Sequence, residues 1–472
     1  MTKQDIQQIL EANPNKRDLL FCRGYYFAST YFDESNYPFY NLWKHELIRE
    51  KYHLYVSPKQ HCVIHEQNDI AYLLIGHAYD SINREWDDKN ILKCMAEAKT
   101  ESLFWERLNN LTGIFTLIIV KEESVILIGD ATCMQNAFYT YKNGKIYISS
   151  HTNLLGDILN LKKDEYVSEL SKYRFFKLLG NSLPGDLTQF KSVKRLVPNH
   201  FVQFTDGKII IKRFYWPHVC AQTTNQIADK VSMLMHENLR LISLKFKKPA
   251  ISLTGGVDSK TTLACTNGLY NHFSFFSYIS TPDEEVDANA AQSICKELGL
   301  KHILYHIPNE DTAYPDIEIT RALLLWNTGD LCANNPNDIR KRRYFEGITD
   351  FDIEVKSWAS EIGRAYFSKR FNGRTNFGKI TAKKCTTMYK FFLHNRNLVK
   401  RTNAVFKYYL THYFEQAKEN PIDWQEQFFW EFRVPSWNGL VITGEHRYSF
   451  DITIPYNNRR ILNLLVSAPI QD

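Results

Sequence analysis

Ala250-Ile251-Ser252-Leu253-Thr254-Gly255-Gly256-Val257-Asp258-Ser259 is the stretch whose reading decides the fold. It opens as a short apolar run behind Lys247-Lys248-Pro249, which suits a buried strand. It then breaks at the paired glycines and re-enters a helix-like segment at Ser259. Adjacent glycines carry no Cβ, so several backbone N–H groups can converge on one anion. The N-terminus of the following helix adds partial positive charge. Ser252, Leu253, Thr254, Gly255, Gly256 and Ser259 are therefore the candidate phosphate cradle, and Asp258 is the candidate carboxylate for Mg²⁺ on a bound nucleotide. A Walker loop is excluded, because Lys260 follows Ser259 outside any Gly-x-x-x-x-Gly-Lys frame. A Gly-x-Gly-x-x-Gly dinucleotide fingerprint is absent too.

Working outward, Ile227, Val231, Leu234, Met235 and Ile242 fall at helical spacing before the strand. Thr261 to Cys265 continues as helix, Phe273 to Ile279 reads as a strand, and Val286, Ala290, Ile294 and Leu298 mark an amphipathic helix ended by Gly299. His302 to Ile307 is another short strand and Ile353 to Trp358 a further one. This alternation predicts a parallel sheet with crossover helices and ligands at the strand C-termini, where the glycine loop lies.

Residues 1 to about 216 read differently. Short β-branched or aromatic segments dominate: Leu19 to Phe27, Ile70 to Ile75, Ile114 to Val120, Ser124 to Ile128 and Lys145 to Ser149. Asn143-Gly144 is a hairpin turn signal, and Glu165 to Leu179 reads as helix. Two domains follow, residues 1–218 and 224–472, with the boundary between Pro217 and Thr224.

The 472 residues are long enough for both to bury a core. No apolar run approaches the roughly 18–20 residues that span a bilayer, and the polar start lacks a signal-peptide core. Nine cysteines without a C-x-x-C pair point to reduced thiols and a cytoplasmic protein, with no membrane partner. Residues 361–410 hold twelve Lys/Arg against one carboxylate, so this segment carries +11 while the whole chain carries +6. Such a field attracts an anion or is simply a solvated basic face.

The glycine loop resembles the PP-loop of ATP pyrophosphatases, Ser-Gly-Gly-x-Asp-Ser, with Thr254 in place of the first Ser. The order Gly113-Ile-Phe-Thr-Leu, Asp130, Phe138-Tyr139 and Ile148-Ser-Ser-His resembles the glutaminase domain of the asparagine synthetase family. So do Thr281-Pro-Asp-Glu-Glu-Val-Asp-Ala and Ala359-Ser360-Glu361-Ile362-Gly363-Arg364 for its synthetase domain. The resemblance implies an α/β fold: an N-terminal Ntn-hydrolase-like αββα sandwich, then a PP-loop parallel α/β domain. It implies ATP and Mg²⁺ as cofactors, adenylation of a substrate carboxylate and transfer to ammonia or an amine. Glu361 matches the family base; beside that stands the plainer reading that it pairs with Arg364. Tyr278 is placed at the adenine pocket, and Ser360 and Arg364 at pyrophosphate. Where glutamine-dependent relatives begin Met-Cys-Gly, Thr2 stands here, so no glutaminase is expected, as in beta-lactam synthetases. The family's late Lys has no counterpart before Asp472. Lys356, Arg459 and Arg460 are the candidates for its role, Lys356 being taken with Glu361 as the catalytic pair. Expected partners are small-molecule or peptide carboxylate and amine substrates, with a homodimer implied by the family and nucleic acid not expected. Two alternatives stand beside the ligase: a non-catalytic nucleotide-binding scaffold, motivated by these departures, and an RNA-modifying PP-loop enzyme, motivated by the basic segment.

Overall fold

The structure is a computed structural model and describes residues 1–176, 178, 180–331, 335–370, 378–390, 393–442 and 446–469. Twelve strands come first: β1 (Tyr25–Ala28), β2 (Lys44–Ile48), β3 (Tyr52–Val56), β4 (Cys62–Gln67), β5 (Ile70–Asp80), β6 (Leu111–Val120), β7 (Ser124–Gly129), β8 (Phe138–Lys142), β9 (Lys145–Ser149), β10 (Lys194–Arg195), β11 (His200–Thr205) and β12 (Lys208–Arg213). They form two six-stranded antiparallel sheets, ordered β10-β8-β9-β1-β3-β2 and β12-β11-β7-β6-β5-β4. Period-two alternation stacks them. Tyr25 and Phe27 of β1 face Leu73 and Ile75 of β5 in the inter-sheet core. Their neighbours Tyr26 and Ala28 face outward onto α1 (Lys3–Ala12), where Ile6 and Leu10 cover them. Tyr72 and Leu74 face the other way onto α2 (Asp88–Ala96) and α3 (Glu101–Asn110). The result is an αββα sandwich, completed by α4 (Thr152–Leu159) and flanked by α5 (Glu165–Lys172).

The second half starts with α6 (Thr224–Lys245), then β13 (Pro249–Ser252), α7 (Val257–Cys265), β14 (Ser274–Ile279), α8 (Pro282–Glu297), β15 (His302–His306), α9 (Ile317–Asn327), α10 (Pro336–Phe345), β16 (Ile353–Val355) and, late in the chain, β17 (Asp451–Thr453). All four strand pairings are parallel and the order is β15-β14-β13-β16-β17. Ile251 and Phe275 pack under α6, α7 and α8, whereas Ala250 and Phe276 face the opposite core with Phe345 and Phe351. This is the α/β class expected from the sequence.

The sequence reading errs on boundaries. Leu19 to Phe27 is not one strand: a 3₁₀ turn at Pro14–Leu19 and left-handed backbone at Phe21 and Arg23 (φ 49° and 54°) delay β1 to Tyr25. The helix predicted to Leu179 stops at Lys172, and β16 ends at Val355, three residues short of Trp358. β5 runs five residues past Ile75, pairing with β6 to Asp80. Of the basic segment, Arg374 lies outside the described residues. Lys390 is not on a solvated face: it is buried and donates to the carbonyls of Phe176 (2.6 Å) and Gly180 (2.8 Å).

The two halves share cores. α9 packs with α1 and α4 on the first sheet. Asn457 donates to Gly113 O (2.7 Å) and Asp130 Oδ1 (2.9 Å), and buried Arg459 donates to Asn199 Oδ1 (3.1 Å) and Gly129 O (3.1 Å). Thus Arg459 is committed to holding the sandwich, and Arg460 donates to Asn110 Oδ1 (2.6 Å). No helix among the described residues is long and apolar enough to cross a membrane.

Candidate active site

After β13 the chain folds out to α7 and β14 on one side, then returns to β16 on the other, so the crevice between the C-terminal ends of β13 and β16 is the sheet's switch point. The loop after β13 spans Leu253 to Gly256. Leu253 N continues the ladder to Phe276 O (2.8 Å), and Thr254 Oγ1 accepts from Gly256 N (3.1 Å). Ser259 is buried, accepts from Thr254 N (3.1 Å) and lies 3.1 Å from Thr254 O. Its hydroxyl therefore braces the loop from inside, where the sequence reading had it facing a phosphate. Gly256 caps α7 without a side chain, leaving the first-turn N–H groups without a side-chain acceptor, next to the exposed Gly256 and Val257. A Cβ on Gly255 would lie 2.9 Å from Asp287 Oδ1 of α8, so a larger residue there would displace the Asp287 carboxylate. Gly255 N donates to that same oxygen (3.1 Å).

The loop after β16 crosses to meet it. Ser357 Oγ and Thr262 Oγ1 are 2.7 Å apart, and Ser360 Oγ donates to Asp258 Oδ1 (2.9 Å). Arg364 forms an ion pair with the same Asp258 carboxylate. The structure thus brings together Thr254, Gly255, Gly256, Asp258, Ser259, Ser360 and Arg364. Ser252 ends β13, with Leu253 buried behind it.

Glu361 does not pair with Arg364. Its carboxyl is pushed up from the ordinary range by burial, and Oε2 is buried without a hydrogen-bond partner. Ala359, Gly363 and Ala365 around it hold left-handed backbone (φ 70°, 89° and 53°), which is what folds this loop so tightly. Lys356 is buried at the end of β16, where Nζ stands 2.6 Å from Glu354 Oε1 and 5.9 Å from the Trp358 ring centroid. Tyr278 lies at the end of β14 under the Lys341 ammonium (5.2 Å to the centroid), and Lys341 in turn pairs with Glu284.

Two residues escaped the sequence reading. Asp287 was visible only as part of an acidic helix start. Glu426, in the helix Trp424–Phe428, accepts Gly363 N–H at 2.9 Å and so holds the Glu361 loop from behind. Burial first, then the nearby Asp423, pushes its carboxyl up to about 7. Its signal was an acid inside the aromatic run Trp424 to Trp430. A cleft of about 1350 Å³ lies away from these loops, between α3, α6 and the helix Arg459–Ser467, with Trp105, Phe214, His236 and Arg460 in its walls.

At the other end of the chain, Thr2 caps α1, its Oγ1 accepting from Asp5 N (3.3 Å) and its own N–H donating to Asp5 Oδ2 (2.7 Å). The start of β1 is instead occupied by Gly24, against Ser150 and His151, and Cys22 nearby is buried with its thiol pushed up by desolvation. Among the described residues no group of three or more His, Cys, Asp or Glu side chains could hold a metal.

No protein-family model matches the chain, and no curated protein matches it. Among solved structures it is similar to the glutamine phosphoribosylpyrophosphate amidotransferase from B. subtilis complexed with ADP and GMP, at 11% identity and TM-score 0.26, covering 63% of this chain and 62% of that one. It is also similar to the glutamine-dependent NAD+ synthetase from Acinetobacter baumannii in complex with ADP (16% identity, TM-score 0.20, 34% and 28% covered). A third is the NH3-dependent NAD synthetase from Campylobacter jejuni in complex with nitrate (13%, 0.22, 42% and 100%). The chain spans less than two thirds of the first one's length, and likenesses this slight carry no residue role across.

Proposed function

We propose that the chain is an ATP-dependent ligase that activates a substrate carboxylate as an acyl-adenylate, releases pyrophosphate, and passes the acyl group to ammonia or an amine. The observation that supports it best is the meeting of two loops over the switch point, one presenting the uncapped first turn of α7 and Asp258, the other Ser360, Glu361 and Arg364. The donor set fits a nucleotide. First-turn N–H groups of α7 suit phosphate oxygens, and a single carboxylate suits Mg²⁺, which binds through one or two carboxylates plus substrate phosphates. Mg²⁺, when bound at Asp258, supplies charge neutralisation on the triphosphate.

In this reading the Asp258 carboxylate exchanges its Arg364 partner, and the freed guanidinium takes pyrophosphate oxygens in bidentate fashion. A substrate carboxylate oxygen attacks the α-phosphorus and the α–β anhydride bond breaks. The amine nitrogen then attacks the acyl carbon, AMP leaves, and Glu361 takes the amine proton. Its buried, unpartnered Oε2 and raised proton affinity suit a general base. Lys356 is paired with Glu354 at 2.6 Å and would add positive potential at the intermediate only by exchanging that partner.

A second reading, nucleotide binding without turnover, draws on the loop's own bonds: Asp287 on Gly255 N and Arg364 on Asp258 already fill positions that ATP would use. Exchange of labelled pyrophosphate into ATP, dependent on an added carboxylate and abolished in a folded Asp258→Asn variant, is expected for the ligase. ATP binding with no AMP formed from any carboxylate pool would leave the second reading standing and sink the first.

A further inference from the structure

The helix Arg396–His412 presents an exposed face that contains no acid. Leu398, Thr402, Phe406 and Tyr409 turn inward, where Phe406 meets Phe428 (5.7 Å between ring centroids) and Phe432 (5.2 Å). At about 100° per residue, Arg396, Lys400 and Lys407 share an arc of about 40° on the side away from those residues. At about 1.5 Å per residue, Lys400 and Lys407 lie about 6 Å and about 16 Å along the axis from Arg396. All three are exposed, and the helix holds neither Asp nor Glu. Its one ion pair among the described residues joins Arg401, off this stripe, to Glu169 (3.0 Å). Among the described residues the three stripe cations therefore have no carboxylate within ion-pair distance. The helix Ala382–Lys390 packs alongside through Tyr389 on Phe406 (5.8 Å), also lacks an acid, and adds the exposed Lys383.

The side chains between these cations are Asn397, Ala404 and Thr411, all exposed. A protein interface is built around an apolar centre, and a membrane-docking face needs protruding apolar side chains. This stripe has neither. Unmatched cations in a line on a polar surface fit a phosphodiester backbone, whose charges also recur along a line. At the edge of the stripe the Tyr408 ring, 40% exposed, stacks on His412 at 3.8 Å, a flat aromatic surface of the kind on which bases stack. We propose that Arg396, Lys400 and Lys407, with Lys383, bind the phosphate backbone of a single-stranded nucleic acid without reading its base sequence. The stripe lies outside the stretches that resemble the asparagine synthetase family, from which nucleic acid is not expected. Its binding does not depend on the ligase reading.

The experiment is fluorescence anisotropy of a labelled oligouridylate of about 20 nucleotides, titrated with the full chain at salt concentrations from about 50 to 200 mM. The logarithm of the wild-type association constant should fall with the logarithm of salt at a slope of about −2 to −3, the value for three or four phosphate contacts on a single strand. In the double variant Lys400→Gln, Lys407→Gln the slope should shrink by about 1.4 and affinity at about 50 mM salt should drop at least tenfold. Polyglutamate should displace the RNA only above roughly a tenfold excess of charge, since the stripe offers a protein chain no apolar centre. A wild type that leaves the RNA free at low salt overturns the proposal. So does a double variant with the wild-type slope and affinity, which would place the RNA elsewhere. Displacement by polyglutamate at equal charge also overturns it and gives the face to an acidic protein. Should the double variant not fold, Arg396→Gln must shrink the slope by about 0.7, and an unchanged slope overturns the proposal.

Discussion

Replacing Glu426 with Gln isolates one buried proton. Glu426 is 5% exposed, and its carboxyl rises from the ordinary 4.5 to about 7 because burial penalises the charged form more than the Gly363 N–H bond favours it. The folded protein therefore holds a proton that the unfolded chain has released between pH 4.5 and 7. Stability from this group is complete below pH 4.5 and is lost as pH rises through 7. Each pH unit across that window is worth about 1.4 kcal/mol, so the loss amounts to roughly 3 kcal/mol by pH 8. Gln keeps a carbonyl oxygen for Gly363 N–H and cannot ionise. The stability of Glu426→Gln minus that of wild type should thus climb by about 2.5 kcal/mol from pH 5 to pH 8. Other groups raised by burial, Asp157 and Glu361 among them, titrate equally in both proteins and cancel. Urea unfolding at half-unit pH steps reads the difference directly. A difference independent of pH would refute the assignment of this proton to Glu426.

Asp287→Asn removes a negative charge from the nitrogen that a phosphate would claim, and ATP affinity measured by calorimetry should rise about fivefold, the worth of about 1 kcal/mol of screened repulsion. Gly363→Ala places a Cβ 2.5 Å from Leu465 O at a φ of 89°; denaturant titration should show a loss of about 3 kcal/mol. Trp430→Ala empties a fully buried site whose indole donates to Ala131 O at 2.8 Å, and should cost about 4 kcal/mol by the same measurement.

What the sequence by itself determined is local. The apolar run ending in two glycines specifies a strand, a tight turn and a helix, because β-branched and apolar residues favour the strand and paired glycines break it. Asn143-Gly144 specifies its hairpin through positive φ at both positions. Period-two alternation in β1 and β5 assigns each side chain to one of two cores. The segment Ala359 to Arg364 was placed correctly as a loop after a strand, though β16 proved shorter. Tertiary structure alone decided who meets whom. Asp258 finds Ser360 and Arg364 about a hundred residues on, because the sheet reverses its winding between β13 and β16. Among the described residues Glu361 has no ion-pair partner, while Ser259 turns inward and Glu426 rises toward neutrality. Each of these depends on burial and on the sum of distant charges, quantities that residue spacing does not encode and that exist only once the chain has closed.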